Sequence, residues 1–538
     1  MDKYISSAVV AITSATLIAC SHSPQQPELL QTYQFDQQQE IILPLSAGQY
    51  IRGNIQSLVP LNEASILNPQ NQIIKSLLKT GQREGEIFWK VETSGSYRLR
   101  LQTNTPEKAS VQVHLYGLPL KANQSVNPQD VITSPLLLKA AAGIEKKRPE
   151  AEPDFWQKIR QQGTPLLEPQ PDGNALLTFL WRGKADNVRI LGAPYDGHAY
   201  MSHLANSEIW YKTYTIPDGT RFSYRLAPDV PQIEENQWRE QRQAVLATVG
   251  PDPLNTSHFA GDDIRFGQAS TITYGQAPDD KYTRQSNSPQ GNTQQYQFFS
   301  QLLGNNRKIT VYEPAAQQPL PADAPLLILF DGDDYLSKVP TPTILDNLIA
   351  AHQIPPMRAV FIHTPLPSLR SKELPPNPVF ADFMATELMP WLHHSLGITP
   401  SGEDTVLTGS SFGGLASLYV ATRHPETFGK VLSQSGSFWW GPDKAHPQWL
   451  TAQLRQQPKL PIQIYMNAGL FETKPEFANI LQTNRALYQV LKTKGYPVMF
   501  EEVASGHDYF SWRVTIANGL IRLFSHQSDE TSQQISDE

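Results

Sequence analysis

The sequence predicts an α/β protein, with a mostly parallel, doubly wound sheet in its C-terminal half and two β units before it. Three observations carry that reading. Between residues 291 and 527, short apolar runs such as PLLILFDG, AVFIHTP, TVLTGSS, KVLSQSG and QIYMNAG alternate with helical patterns. Between 30 and 118, and again between 153 and 290, short runs alternate apolar and polar residues and are broken by Gly, Asn and Pro. A hydrophobic fraction of 39% in 538 residues supplies large cores, while a single cysteine excludes intramolecular disulfides and cysteine-built metal sites.

The N-terminus has its own character. Residues 1–20, MDKYISSAVVAITSATLIAC, place Lys3 before an apolar run from Ile5 to Ala19, the build of a signal-peptide core. The run ends in Leu17-Ile18-Ala19-Cys20, which resembles the lipobox of bacterial lipoproteins. That resemblance implies lipidation of Cys20, the sole thiol. Two or more acyl chains on one residue give a stable membrane anchor. Ser21 after the cysteine points to the outer membrane of a Gram-negative bacterium, facing the periplasm, with 21–29 as a tether.

The following elements are assigned in order. Segments QEIILPL, EIFWKVE, GSYRLRLQT and ASVQVHLYG make 30–118 a β-sandwich-like accessory module, and 119–152 reads as a linker. Segments ALLTFLWRG, NVRILGAP, EIWYKTYTIPDG and TRFSYRLAP make 153–290 a second β-sandwich-like domain, with β structure from Phe155. The Gly-, Ser-, Gln- and Asn-rich stretch from Pro251 to Asn292 marks its exit. The last domain spans 291–527, with one helix expected from Phe380 to Leu396 and another after Phe412, and 528–538 is a polar tail expected to be disordered. Forty-four Lys and Arg against 51 Asp and Glu, with no long basic block, argue against a nucleic-acid partner. Nothing in the sequence calls for an obligate protein partner.

Chemistry concentrates in the last domain. Gly409-Ser410-Ser411-Phe412-Gly413 fits G-x-S-x-G between the strand TVLTG and the helical GLASLYVATRHP, the context in which a serine is lifted onto a strained turn. This is the nucleophile elbow of an α/β-hydrolase, and it makes Ser411 the candidate nucleophile. In that fold the triad runs Ser, acid, His. His507 in Ser505-Gly506-His507-Asp508 follows the strand VMFEEV and is the candidate base. The acid belongs after QIYMNAG, where Glu472 is favoured over Glu476; Asp508 adjoins the base but lies badly for it. The oxyanion donors are the N–H of Phe412 and one from Gly332 or Asp333 in the loop after PLLILF.

At this point the sequence resembles the enterochelin (ferric enterobactin) esterases. The carrying segments are FDGDDYLS, RSKELPPNPVFADFMATELMPWL, LSQSGSFWWG, NAGLFE, NRALYQVL and SGHDYFSWR, with weaker likeness in FWQKIRQQGTPLLEP and TFLWRG. The resemblance implies a serine esterase without a cofactor or catalytic metal. It would open the lactone bonds of a ferric catecholate trilactone through an acyl-enzyme, with the iron as cargo. A trianionic aromatic substrate calls for cations and flat rings. The matching segments offer Arg370, Lys372, Trp439, Trp440, Arg485, Trp512 and Arg513. Two other functions stay open: a feruloyl- or acyl-esterase of the same superfamily, and an anchored binding lipoprotein with a degenerate hydrolase domain.

Overall fold

The computed structural model describes residues 12–13 and 28–525, apart from 79, 196, 235–237, 260–267, 316–318 and 475–477. Cys20 and the tail from 528 therefore lie outside the described residues, as does Glu476.

The C-terminal domain is one eight-stranded sheet. Its strands are β1 (Asn292–Ser300), β2 (Asn305–Glu313), β3 (Leu326–Leu329), β4 (Arg358–Ile362), β5 (Thr405–Ser410), β6 (Lys430–Gln434), β7 (Gln463–Gly469) and β8 (Val498–Val503). They lie in the order β1-β2-β4-β3-β5-β6-β7-β8. The β1–β2 and β2–β4 pairs are antiparallel and every later pair is parallel. Helices cover both faces, so the central strands read as unbroken apolar runs. Their alternation sorts them into two cores. Ile328, Leu407 and Ile464 face one layer of helices, and Leu327, Val406 and Leu432 face the other. The helix expected from Phe380 to Leu396 is present, but a π turn over Met384–Leu388 interrupts it. Pro390 has no N–H to return to the carbonyl four residues back, which accounts for the irregular turn.

Two β units precede this domain. In the first, a sheet containing Glu28–Phe35, Ala109–Leu118, Tyr50–Ser57 and Glu84–Lys90 faces a second containing Gln38–Leu45, Gly95–Gln102, Glu63–Leu67 and Ile73–Ser76. Both give alternate residues to one core, with Ile41, Leu43 and Leu99 from one sheet and Ile55, Ile87 and Val113 from the other. In the second unit, Ala175–Arg182 and Ile209–Ile216 centre one sheet, while Val188–Gly192, Arg221–Pro228 and Ala269–Thr273 belong to the other. Phe179 and Phe222 meet in their shared core. Ala269–Thr273 falls inside the stretch read as an exit from this unit. Its ASTIT sequence pairs with Arg221–Tyr224 in spite of polar surroundings.

Two expectations are corrected. The 119–152 segment is not a bare linker, because Pro135–Glu145 is a helix with Pro at its first turn and Ser134 Oγ accepting from Leu137 N at 3.2 Å. A second helix, Ala151–Gln162, occupies the FWQKIRQQ stretch that was read as the start of a β unit. Phe155, Trp156 and Ile159 share one face of it and pack with Leu137 onto Leu166 and Leu180 of the sheet. Among the described residues no helix is long and apolar enough to cross a membrane.

Candidate active site

β5 ends at Ser410, and a helix over Phe412–Arg423 starts two residues later. Ser411 makes the turn at φ 58°, ψ −117°, a conformation costly to any residue with a Cβ and common at functional sites. Gly409 permits it, since a Cβ there would sit 2.9 Å from the backbone of Gly413. The turn is tied to the exit of β6: Ser411 N donates to Gln434 O and Ser437 N to Ser411 O, both at 3.0 Å. Ser411 Oγ lies 3.2 Å from Ser437 Oγ.

Glu472 and His507, the candidate acid and base, are held on two loops. Glu472 is fully buried, and its Oε1 receives a short hydrogen bond from His507 Nδ1. Its Oε2 accepts from Gly469 N at 2.5 Å and from Ser435 Oγ at 2.7 Å. Ser435 Oγ in turn accepts from Trp512 Nε1 at 3.0 Å, and the Trp512 ring stands edge-on to His507 at 4.8 Å. A proton on Nδ1 leaves Nε2 of His507 free to accept one. Among the described residues Ser411 Oγ is hydrogen-bonded to Ser437 and not to His507, a looseness usual before substrate binds. Asp508 faces elsewhere. It caps the helix Tyr509–Phe524 by accepting from Phe510 N at 2.9 Å and Ser511 N at 3.3 Å, and burial pushes its carboxyl up to about 6 against the pull of those N–H groups.

The candidate oxyanion donors sit at helix ends. Gly332 and Asp333 open the short helix Gly332–Ser337, and Phe412 opens its own, so their N–H groups have no partner within the helix. Asp331, at φ 54°, precedes the first of these helices, and its Oδ2 lies 3.5 Å from where a Gly413 Cβ would be. The Asp333 carboxylate accepts from Lys308 Nζ and His363 Nδ1, each at 2.8 Å. Behind this loop Tyr335 OH donates to Gln434 at 2.7 Å, and Tyr509 OH donates to Asp334 at 2.9 Å.

The residues expected to hold an anion fare unevenly. Arg370 lies 5.9 Å from the Phe412 ring, beside the elbow, but its guanidinium is clamped by Asp331 through bonds of 2.7 and 2.6 Å. Burial disfavours its charge, and the Asp331 carboxylate more than compensates, so its pKa rises. Glu373, three residues along the same helix, binds buried Arg307 at 2.8 Å. Arg485 is spent on Glu502 through two bonds of 2.6 and 2.5 Å. Trp439 stacks at a tilt 5.9 Å from Phe412, whereas Trp440 packs edge-on against Trp449. Trp512, 4% exposed, lies behind His507 and cannot reach a ligand. Arg513 turns to the Phe259 ring at 5.2 Å and lines a separate cleft of about 370 Å³ with Asp280 and Lys281. Lys372 is exposed and has no side-chain partner among the described residues.

Sequence reasoning missed Ser435 and Ser437. Their signal was the Ser435-Gly436-Ser437 run directly after β6, since a strand end beside the elbow places its hydroxyls at the acid and the nucleophile. Among the described residues no group of His, Cys, Asp and Glu is placed to hold a metal ion.

Comparison with known proteins points to the same class of enzyme. The Esterase family model matches residues 300–523, and the model "Enterochelin esterase, N-terminal" matches 176–283. The iron(III) enterobactin esterase of Dickeya dadantii is 28% identical over 425 residues, covering 71% of this chain and 95% of that protein. The iron(III) salmochelin esterase of an Escherichia coli strain is 26% identical, covering 68% and 92%. Among solved structures, the ferric enterobactin esterase of Salmonella typhimurium superposes with a TM-score of 0.58 at 25% identity, over 70% of this chain and all of that one. The Shigella flexneri enterobactin esterase, solved in the presence of enterobactin, gives 0.56 at 27% identity over 69% and 97%. With a strained serine elbow, a Glu–His pair on the two loops that follow, and both domain models in order, the chain belongs to the enterochelin esterase family and is a carboxylic ester hydrolase.

Proposed function

We propose that this protein hydrolyses the ester bonds of ferric enterobactin-type catecholate siderophores, releasing dihydroxybenzoylserine units and aiding iron release. The observation that carries the reading is the Glu472–His507 pair beside the strained Ser411, in a chain whose relatives bear these substrates in their names. His507 Nε2 takes the Ser411 proton as Oγ attacks a lactone carbonyl. The N–H groups of Phe412 and of Gly332 or Asp333 receive the oxyanion. His507 then protonates the departing alcohol, and water repeats the sequence on the acyl-enzyme. Glu472 holds the imidazole and stabilises its charged form without taking the proton. Of the candidate contacts, Trp439 and Lys372 suit a catecholate best: one ring lies beside the elbow and one ammonium has its charge unspent.

The test is a chromatographic time course with ferric and iron-free enterobactin. Ester cleavage by the wild type and none by Ser411→Ala is the expected result; no cleavage of either form by the wild type overturns the substrate assignment.

We further read the two β units as sandwich-type modules and Cys20 as the lipid acceptor of a periplasm-facing lipoprotein. Support for the anchor is the 1–20 sequence alone. Fatty-acid labelling that disappears in Cys20→Ser, while extract activity persists, is the expected result; an unlabelled wild type in the cytosol contradicts it.

A further inference from the structure

The loops that carry Glu472 and His507 do not rest on the hydrolase domain alone. They lean on one strand of the second β unit, Arg221–Pro228, across a span of nearly three hundred residues of chain. Arg221 N donates to Ala504 O at 2.9 Å, just before the histidine loop. Ser223 N donates to Asp508 Oδ2 at 3.4 Å, just after it. Between them Phe222 points the other way and meets Phe471 of the acid loop edge-on at 5.9 Å, as the period-two alternation of a strand requires. The Arg221 guanidinium lies 3.6 Å over the Phe510 ring and donates to Phe510 O at 3.0 Å. The contact is so close at Gly506 that an added Cβ would lie 2.6 Å from the Cβ of Ala193.

We propose that the strand Arg221–Pro228, with Ala193 at the end of the neighbouring strand Val188–Gly192, is a positioning element of the esterase site, setting the acid and base loops against Ser411 through Phe471, Asp508 and Gly506. The inference rests on the reading of Ser411, Glu472 and His507 as a triad, and it assigns the β unit a part in turnover of any ester, separate from substrate recognition. Its residues act through neighbours of Glu472 and His507. Misplacing a catalytic group by about 1 Å costs on the order of a hundredfold in rate, so a contact remote from the chemistry is enough to control it.

The experiment uses the full chain and p-nitrophenyl acetate, a small neutral ester that needs no anion site. Gly506→Ala drives a methyl against Ala193 and should lower kcat about a hundredfold with KM little changed. Adding Ala193→Gly removes the opposing methyl and should restore most of kcat, while Ala193→Gly alone stays near wild type. Asp508→Asn keeps a capping oxygen for Phe510 and Ser511 but turns an amide N–H toward the Ser223 N–H; it should lower kcat about tenfold or more. If Gly506→Ala fails to fold, Asp508→Asn decides. Wild-type kcat in Asp508→Asn, or a Gly506→Ala loss that Ala193→Gly does not relieve, overturns the proposal. Ser411→Ala run in parallel separates the two readings, since persistent turnover there would mean that the triad itself is wrong.

Discussion

The two sides of the catalytic site are built in different ways. The nucleophile side is local. Ser411 and the β6 exit are joined by hydrogen bonds between adjacent parts of one sheet, and glycines at fixed offsets make the turn possible. The acid and base side is assembled at a distance. Glu472 and His507 sit on loops whose partners include Trp512 from the last helix and Arg221, Phe222 and Ser223 from another domain. A strained turn is enforced by its own strand and helix, whereas two loops need outside walls. The rate should therefore be most sensitive at the elbow and respond in graded steps on the other side.

The largest effect is expected at the elbow itself. Ser411→Ala should lower kcat by about 10⁶, as in serine triads generally, with the fold retained. Circular dichroism and a small-ester assay check both halves of that statement. Turnover near wild type would place the nucleophile elsewhere and remove the basis of the comparison.

Next comes the acid. Glu472→Gln keeps the size of the side chain but presents an amide to His507, so kcat should fall by about 10²–10⁴. Ser435→Ala should fall between that variant and the wild type, because Glu472 keeps its bonds to Gly469 N and His507. A Ser435→Ala loss equal to that of Glu472→Gln would mean that the loop, and not the carboxylate, sets the geometry.

How much of this was legible in the sequence follows the same division. The elbow and the alternation of strands with helices were readable because both are encoded within short windows of chain, whereas the order of the strands in the sheet was not. His507 and Glu472 could be placed by their positions after β8 and β7. The partners of the charged residues could not. Arg370 pairs with Asp331, 39 positions away, and Arg485 pairs with Glu502 across a helix and a strand, so two expected anion contacts are already neutralised. Trp512 reads as a substrate ring by its neighbourhood in the chain, yet helix geometry turns it inward while Arg513 points out to Phe259. The helix Pro135–Glu145 did leave a signal in Ser134-Pro135, obscured by the charged EKKRPE that follows.

The neutralised Arg370 sharpens the comparison on the oxyanion side. Arg370→Ala leaves the Asp331 carboxylate 5% exposed and without its partner, beside Gly332. Removing one member of a buried pair costs about 3 kcal/mol, at the low end here because the guanidinium is itself one-third exposed. The expected outcome is a lower unfolding midpoint and equal loss of kcat/KM on p-nitrophenyl acetate and on the ferric siderophore. A loss confined to the siderophore would return Arg370 to substrate recognition.

The smallest effect, and the one that reads the domain contact directly, is a pH dependence of stability. Burial raises the Asp508 carboxyl from 3.8 to about 6, so the folded protein binds a proton over a range where the unfolded chain does not. For a group raised in this sense, stability falls as pH rises through that window and is recovered on acidification. From about pH 7 to about pH 4.5 the contribution should grow by about 2 kcal/mol in favour of the folded state. Carboxylates such as Asp280 and Glu502 are shifted the opposite way by their arginines, so they lose stability as pH falls below about 4.5, where the wild type alone mixes the two effects. The informative quantity is the difference in unfolding midpoint between wild type and Asp508→Asn, measured by scanning calorimetry at several pH values. That difference should move in favour of the wild type as pH falls, because the asparagine cannot take up the proton. A difference independent of pH would mean that Asp508 is solvated in the folded protein. The wall between the base loop and the strand Arg221–Pro228 would then be open to water.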